Sequence, residues 1–232
     1  MVVRKMSGLL ILGAGGHGRT VADAALMTGI WDRIAFLDDK EDLEEVSGFP
    51  VLGQFNLFPR FLNDFDGAFV AIGNNDLRLK LIIVLQHAGF NVPSIIHPHS
   101  SVSKRSKIAA GSIVMAGAVV NTDATIERGC IINTCSSVDH DCYVQEGVHI
   151  SPGSHVGGTA SIGRCSWLCM NSCIGNNRKV GKNVIVAAGS IVIKDVPDDV
   201  MVAGIPAIIK KRFGGDHIEH ENISLSALYE RI

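Results

Sequence analysis

The segment Ser101 to Cys130, which reads SVSKRSKIAAGSIVMAGAVVNTDATIERGC, begins a six-residue pattern that continues to Val192. From Val102 onward an aliphatic residue stands at every sixth position, and fifteen of these sixteen residues are β-branched. Most hexads also carry a small residue two positions earlier and Gly, Asn or Asp three positions later. This period fits neither an α-helix, with about 3.6 residues per turn, nor the alternation of about 2 in a plain sheet.

A six-residue period is typical of a chain that turns a corner after each short strand and stacks into a β-helix. The aliphatic and small side chains then point inward, and the corner residue adopts a left-handed backbone that Gly, Asn and Asp tolerate. The pattern resembles the left-handed parallel β-helix of the hexapeptide-repeat acyltransferases, which has three hexads per triangular coil, and the handedness follows from this resemblance. The predicted corner residues are Gly111, Gly117, Asp123, Gly129, Asp141, Gly147, Gly153, Asn171, Asn177, Asn183 and Gly189.

The remaining sequence defines two further parts of the chain. Residues 1–97 alternate between strands and helices, which predicts a small Rossmann-like parallel α/β domain. Residues 98–213 form the β-helix domain with its closing segment, and residues 214–232 form a polar, acidic tail with a short helix near 224–231. Within the first domain we expect strands at 8–12, 33–37, 68–72 and 92–96 and helices at about 18–28 and 77–88.

Composition excludes several classes of function. The net charge is -2 and there is no Lys/Arg-rich block, which argues against nucleic acid as the main partner. No apolar run approaches the roughly 20 residues of a membrane span, so we expect a cytoplasmic protein without one. All six cysteines lie inside the repeat, with Cys130 and Cys142 at small inward positions. We therefore expect buried thiols in a reducing compartment and neither a metal site nor disulfides.

A glycine-rich turn in the first domain is a candidate nucleotide site. Gly13, Gly15 and Gly18 match G-x-G-x-x-G between a strand and a helix, and Asp38 and Asp39 follow at the spacing of the dinucleotide fingerprint. Backbone N–H groups at a helix N-terminus suit a phosphate, and carboxylates suit hydroxyl groups. The domain is too short for a full dinucleotide fold, which favours a nucleotide sugar, while NAD and a purely structural domain remain alternatives.

A histidine beside a carboxylate is the candidate for catalysis. His140 lies two residues after the inward Val138, so it stands at a corner and faces outward. The neighbouring Asp141 can fix the imidazole tautomer and raise its basicity, as a general base requires. From these residues alone, a catalytic base and a solvated surface histidine are both open. His149 and His155 each precede an inward position and would lie on outer strand faces.

The chain resembles the sugar N-acetyltransferases of bacillosamine biosynthesis and their sialic-acid O-acetyltransferase relatives. The matching pieces are Gly16-His17-Gly18, Phe36-Leu37-Asp38-Asp39, Ala71-Ile72-Gly73-Asn74-Asn75, Ile132-Asn133-Thr134 and His140-Asp141-Cys142. The resemblance implies that His140 is the general base with Asp141 as its partner, and that His149, Met170 and Ala188 lie at the acetyl-CoA site. It also implies a nucleotide-sugar site formed by Gly15, His17, Gly18, Asp38, Asp39, Gly73, Asn74 and Asn75.

The expected reaction is acetyl transfer from acetyl-CoA, as co-substrate, to the amino group of a nucleotide-linked 4-amino-4,6-dideoxysugar for bacterial surface glycan biosynthesis. The resemblance further implies a homotrimer with active sites at subunit interfaces, and no metal. Two alternatives stay open, an O-acetyltransferase acting on a sialic-acid-type sugar and a non-catalytic β-helix protein that binds a nucleotide sugar.

Overall fold

A computed structural model describes residues 7–213. The chain divides into two compact units, and the boundary falls between Ile95 and Ile96, two residues before the boundary expected from the sequence. The predicted tail, residues 214–232, lies outside the described residues. Within residues 7–213, no helix combines the length and the apolar character that a membrane span requires.

The first unit is built on a small parallel sheet. Its strands are β1 (Gly8–Leu12), β2 (Arg33–Leu37) and β5 (Gly67–Val70), in the order β2-β1-β5. The central strand β1 is buried along its whole length, as a run of five apolar or small residues in a parallel sheet should be. The other elements are helices α1 (Gly16–Met27) and α2 (Asn75–His87), a hairpin of β3 (Glu45–Val46) and β4 (Phe49–Pro50), and a 3-10 helix (Phe55–Phe61).

The fourth predicted strand of this unit is wrong as placed. Instead of five residues from 92 to 96, the chain forms only the two-residue strand β6 (Ile95–Ile96), which is not part of the three-stranded parallel sheet. Directly after it the His97 N–H donates to the Val114 carbonyl oxygen at 2.9 Å, so this end of β6 follows the hydrogen bonding of the second unit. Backbone hydrogen bonding to the first coil of the β-helix therefore decides where this strand forms, and the apolar pattern of residues 92–96 does not.

The second unit is a β-helix whose coil has 18 residues, since Ser101 pairs with Val119 and Val119 with Ser137. Sixteen two-residue strands form three parallel faces, followed by β23 (Val200–Gly204) and β24 (Ala207–Arg212). Strands β7 to β22 are Ser101–Val102, Lys107–Ile108, Ile113–Val114, Val119–Val120, Thr125–Ile126, Ile131–Ile132, Ser137–Val138, Tyr143–Val144, His149–Ile150, His155–Val156, Ser161–Ile162, Trp167–Leu168, Cys173–Ile174, Lys179–Val180, Ile185–Val186 and Ile191–Val192.

We name the faces in the order in which each coil visits them. Face A contains β7, β10, β13, β16, β19 and β22, face B contains β8, β11, β14, β17 and β20, and face C contains β9, β12, β15, β18 and β21. β23 extends face C in parallel, and β24 pairs antiparallel with β23. Each coil therefore passes from A to B to C through three corners.

The inward column predicted from the sequence forms the core of this unit. From Val114 to Val192 every sixth residue is at most 3 % exposed, and burial of each such side chain contributes about 1.5–3 kcal/mol before entropy is subtracted. The buried serines satisfy their hydroxyl groups; Ser112 Oγ, for example, donates to the Glu127 carbonyl oxygen at 2.8 Å and accepts from the Cys130 N–H at 3.0 Å. The column thus continues without an orphaned hydroxyl at that position.

The corners follow the predicted rule and extend it. All eleven predicted corner residues have positive φ, and so do Cys135, Thr159 and Cys165, which occupy the same place in their hexads. Cys and Thr side chains disfavour the left-handed region, which is why sequence reasoning missed these three corners. At such a corner Cys135 is exposed, so the expectation of buried thiols fits Cys130, Cys142 and Cys165 but is wrong for Cys135.

Candidate functional site

The corner between faces A and B in the third coil holds the candidate base. The imidazole of His140 is about half exposed, and its Nδ1 lies 2.8 Å from Oδ2 of Asp141. An ionised carboxylate can only accept, so Nδ1 carries the hydrogen and donates a hydrogen bond to Asp141. The Nε2 atom is then left with its lone pair, as a general base requires.

The same contact tunes the basicity of this histidine. The hydrogen bond to Asp141 raises the pKa of His140 above its ordinary value; desolvation opposes this, and the charges of Asp139 and Asp141 add to it. Asp141 has φ of 58°, a conformation that aspartate tolerates better than most residues. One residue therefore both turns the corner and orients the imidazole.

A glycine of the next coil lies against the imidazole. A Cβ placed on Gly158 would be 2.6 Å from Nε2 of His140 and 2.7 Å from its Cε1. The ring therefore occupies space that any other side chain at position 158 would fill. Sequence reasoning missed Gly158. A signal was present, since three hexads make one coil and position 158 lies 18 residues after position 140.

Two further polar residues complete the corner. Oδ1 of Asp139 accepts the backbone N–H of His140 at 2.8 Å and an N–H of the Asn121 side chain at 2.9 Å. The carbonyl oxygen of His140 accepts the Thr159 N–H at 2.9 Å. Neither Asp139 nor Asn121 was among the predicted site residues, since their contact joins positions 18 residues apart in neighbouring coils.

The predicted acetyl-CoA residues lie elsewhere on the coil. His149 points outward from face C, and its ring is stacked on Trp167 with a centroid distance of 6.0 Å and an interplanar angle of 10°. The side-chain amide of Asn133 lies 3.3 Å from Nε2 of His149. Met170 and Ala188 occupy the corner between faces C and A in successive coils. Met170 is 57 % exposed, which leaves its side chain available for contact.

One β-helix does not bring these two groups together. His140 stands at the corner between faces A and B, and this corner is opposite face C, which carries His149. The corner of Met170 and Ala188 is separated from that of His140 by the width of face A. The buried core of the β-helix therefore lies between face C, with His149, and the corner of His140.

In the first unit the glycine-rich turn has the geometry expected of an anion site. Helix α1 begins at Gly16 after the N-cap Gly15, and no side chain caps it. A Cβ on Gly18 would be 1.9 Å from the Gly13 carbonyl oxygen, so the close approach of turn and helix requires glycine there. The first N–H groups of the helix therefore have no capping side chain, which leaves them available to a phosphate.

The two predicted carboxylates are engaged with backbone. Asp38 accepts the Ala14 N–H at 2.7 Å and the Lys40 N–H at 2.9 Å, and Asp39 accepts the Phe55 N–H at 2.9 Å. In this structure both residues therefore hold loops in place. Because each carboxylate has about four lone-pair sites, these bonds leave acceptor capacity for a ligand hydroxyl.

His17 and the loop after β5 lie at the same end of this unit. Nε2 of His17 is buried and has no hydrogen-bond partner among residues 7–213. Burial and the charge of Arg78 lower the pKa of His17 to about 4, so its imidazole is neutral. Arg78, which sequence reasoning missed, is buried and donates to the Ile72 carbonyl oxygen at 2.9 Å and to Oδ1 of Asn75 at 2.8 Å.

Asn74 caps α2, since its Oδ1 accepts the Leu77 N–H at 3.0 Å. Gly73 precedes it in a loop where a Cβ would meet no heavy atom within 4 Å. The loop is therefore open at Gly73. Across residues 7–213, no group of three His, Cys, Asp or Glu side chains is arranged to hold a metal ion.

Comparison with known proteins agrees with this fold. The sequence profile of the PglD N-terminal domain matches residues 8–85. The acetyltransferase domain of PglB from Neisseria gonorrhoeae, solved with acetyl coenzyme A, is 39% identical, covers 88% of this chain and 100% of its own, and has a TM-score of 0.85. PerB from Caulobacter crescentus, solved with CoA and GDP-perosamine, is 34% identical, covers 89% and 99%, and has a TM-score of 0.84.

A curated relative, the galactoside O-acetyltransferase of Lactococcus lactis, is 37% identical over 46 residues, which are 20% of this chain. This chain spans only about a fifth (22%) of the length of that relative.

The parallel β-helix with its six-residue repeat, together with these relatives, places the protein in the hexapeptide-repeat acyltransferase class. Because it is similar over 87% of its length to the acetyltransferase domain of PglB and over 89% to PerB, the chain belongs to the hexapeptide-repeat sugar acetyltransferase family. Its fold is the one predicted, a small parallel α/β unit followed by a left-handed parallel β-helix.

Proposed function

We propose that the protein transfers the acetyl group of acetyl-CoA to the amino group of a nucleotide-linked 4-amino-4,6-dideoxysugar. The observation that carries this proposal is the His140–Asp141 pair, whose Nε2 lone pair faces outward beside Gly158. The relatives support the substrate classes, because PglB is described with acetyl coenzyme A and PerB with CoA and GDP-perosamine.

In the proposed mechanism the neutral amine of the sugar attacks the thioester carbonyl carbon. Nε2 of His140 takes the proton of the amine as the C–N bond forms, and Asp141 stabilises the imidazolium. General-base catalysis of this kind contributes typically about 10²–10⁴-fold. Collapse of the tetrahedral intermediate then breaks the C–S bond, and the imidazolium returns the proton to the departing CoA thiolate.

The nucleotide part of the acceptor is assigned to the first unit. Its phosphates would be bound by the N–H groups at the start of α1, where the capping position is a glycine. The neutral imidazole of His17 can donate or accept one hydrogen bond, and the open loop of Gly73 and Asn74 offers backbone groups beside it. The assignment of Asp38 and Asp39 to ligand hydroxyls is retained as part of this proposal.

The proposal includes a homotrimer with active sites between subunits. Its support is the separation of His140 from His149, Met170 and Ala188, which lie on a different face and a different corner of one β-helix. A second copy, with its own face C or the adjoining corner placed against His140, would complete the site. We place the reaction in the cytoplasm and in the biosynthesis of bacterial surface glycans.

The test is CoA release, followed with a thiol reagent, from acetyl-CoA and a panel of acceptors. The panel contains UDP-, GDP- and dTDP-linked 4-amino-4,6-dideoxysugars together with free and CMP-linked sialic acid, and His140→Ala is the control. Release with a nucleotide-linked amino sugar that disappears in the variant is the expected result. Release only with sialic acid would replace the proposal by O-acetylation, and silence with retained binding of a nucleotide sugar would replace it by a binding function.

A further inference from the structure

A second carboxylate lies beside His140 and has no part in the mechanism above. Oδ1 of Asp139 accepts the backbone N–H of His140 at 2.8 Å, and the same oxygen accepts an N–H of Asn121 at 2.9 Å. Asn121 and Asp139 are 18 residues apart, and their strands β10 and β13 are neighbours in face A. The Asp139 side chain therefore joins the residue that carries the base to the preceding coil.

These bonds hold the backbone of His140 from both sides. The N–H of His140 is tied to the preceding coil through Asp139 and Asn121, and its carbonyl oxygen accepts the Thr159 N–H of the following coil at 2.9 Å. Because the imidazole is about half exposed, side-chain packing alone does not fix it. Its position depends on this backbone clamp, on Asp141 and on the contact with Gly158.

The charge of Asp139 also acts on the imidazole. The two hydrogen bonds, first that from the His140 N–H and then that from Asn121, hold the pKa of Asp139 below its usual range, so it stays ionised. Its negative charge then raises the pKa of His140 through space, in addition to the larger effect of Asp141. A hydrogen-bonded carboxylate that remains charged at neutral pH is a fixed electrostatic partner for the imidazolium.

The neighbouring corner residues of the preceding and following coils do not offer a second free carboxylate to the His140 imidazolium. In the preceding coil Asp123 is paired with Arg105 at 2.9 Å. In the following coil the corner consists of Gly157, Gly158 and Thr159, which carry no charge. Among residues 7–213, Asp139 and Asp141 are the carboxylates whose charges raise the pKa of His140; Asp141 also binds the ring directly, whereas Asp139 acts through space.

We propose that Asp139, held by Asn121, is a positioning residue of the acetyl transfer. It fixes the backbone that carries His140, and its charge favours the imidazolium that forms when the amine loses its proton. Asp139 takes no proton itself and remains a carboxylate throughout. This inference rests on the proposed function, because it assigns a role in proton transfer to His140.

Three variants separate the two parts of this role, with a matched control. Asp139→Asn keeps an acceptor oxygen for both hydrogen bonds but removes the charge, so the acid limb of the pH profile of kcat/KM moves to lower pH. Asp139→Ala also removes both bonds, so kcat falls about ten- to a hundredfold, as expected for a misplaced catalytic group, while KM for acetyl-CoA stays unchanged. Asn121→Ala lowers kcat by less. The control is Asp123→Asn, an Asp-to-Asn change at the corner one coil before that of Asp141. It leaves both the acid limb of the pH profile and kcat as in the wild type.

The inference is overturned if the acid limb of Asp139→Asn coincides with that of the wild type, or if Asp123→Asn moves it equally. It is also overturned if Asp139→Ala keeps the wild-type kcat. Failure of the proposed function is distinguished by a readout that needs no turnover. An NMR titration of the His140 ring protons gives the pKa of His140 directly in the wild type and in Asp139→Asn, and a lower pKa in the variant is required whether or not an acceptor is found.

Discussion

Replacement of Gly158 by alanine tests the geometry of the base with one added methyl group. The new Cβ would lie 2.6 Å from Nε2, 2.7 Å from Cε1 and 3.2 Å from Cδ2 of His140. Gly158 is not among the glycines with positive φ, so alanine adds no backbone strain, and the N–H of residue 158 is kept. The ring must retreat by about 0.8 Å to reach an ordinary contact of about 3.4 Å.

A displacement of that size is sufficient to impair proton transfer. Misplacement of a reacting group by about 1 Å can cost on the order of 10²-fold, so we expect kcat to fall roughly 10- to 100-fold. KM for acetyl-CoA should stay near the wild-type value, because the added methyl group meets the His140 ring and no atom of His149, Met170 or Ala188. Thermal unfolding should be unchanged within a few degrees, since the ring can move outward into solvent.

The assay is steady-state CoA release at saturating acceptor, measured for the wild type, Gly158→Ala, His140→Ala and the double variant. If the methyl group acts only by moving the imidazole, it costs nothing further once the imidazole is gone, so the double variant matches His140→Ala. Wild-type kcat in Gly158→Ala would refute the reasoning. Equal losses from Gly158→Ala in both backgrounds would show that the glycine acts on something other than His140.

Three further outcomes follow from the structure. Asp141→Asn should lower the plateau of kcat/KM and move its acid limb to lower pH, because the hydrogen bond that raises the pKa of the base is weakened; an unmoved limb would contradict this. Ile150→Ala should lower the free energy of unfolding by about 2–5 kcal/mol in chemical denaturation, since a fully buried column residue is truncated; a cost below about 1 kcal/mol would mean that the coil collapses around the cavity. Cys135 should react first with a thiol reagent in the folded protein, and Cys130 and Cys142 only after unfolding; simultaneous labelling of all three would contradict the burial pattern.

The six-residue period predicted the β-helix because the interactions it encodes are local and repeated. Each hexad places one aliphatic side chain inward and one left-handed residue at a corner, and any register slip would expose the whole column. The His140–Asp141 contact was equally readable, because its two residues are adjacent in the chain and a corner turns both side chains outward. The cap of α2 by Asn74 follows from the same local chemistry.

Contacts between coils depended on the tertiary structure. Gly158 and Asn121 lie 18 residues from His140 and Asp139, and only the stacking of coils places them at one corner. Whether a ring packs over a glycine or extends into solvent depends on its side-chain torsions, which the period does not encode.

Other features were decided by competition between partners that sequence cannot rank. Asp38 and Asp39 form bonds to backbone N–H groups from loops whose course the sequence does not show, and the short strand β6 follows the β-helix hydrogen bonds and not its local apolar pattern. The sequence by itself therefore determined the coil, its corners and the histidine–aspartate pair, because these depend on neighbours in the chain. The tertiary structure decided what surrounds that pair and how far it lies from His149, because those distances are set by the 18-residue stacking and the three-sided course of the coil.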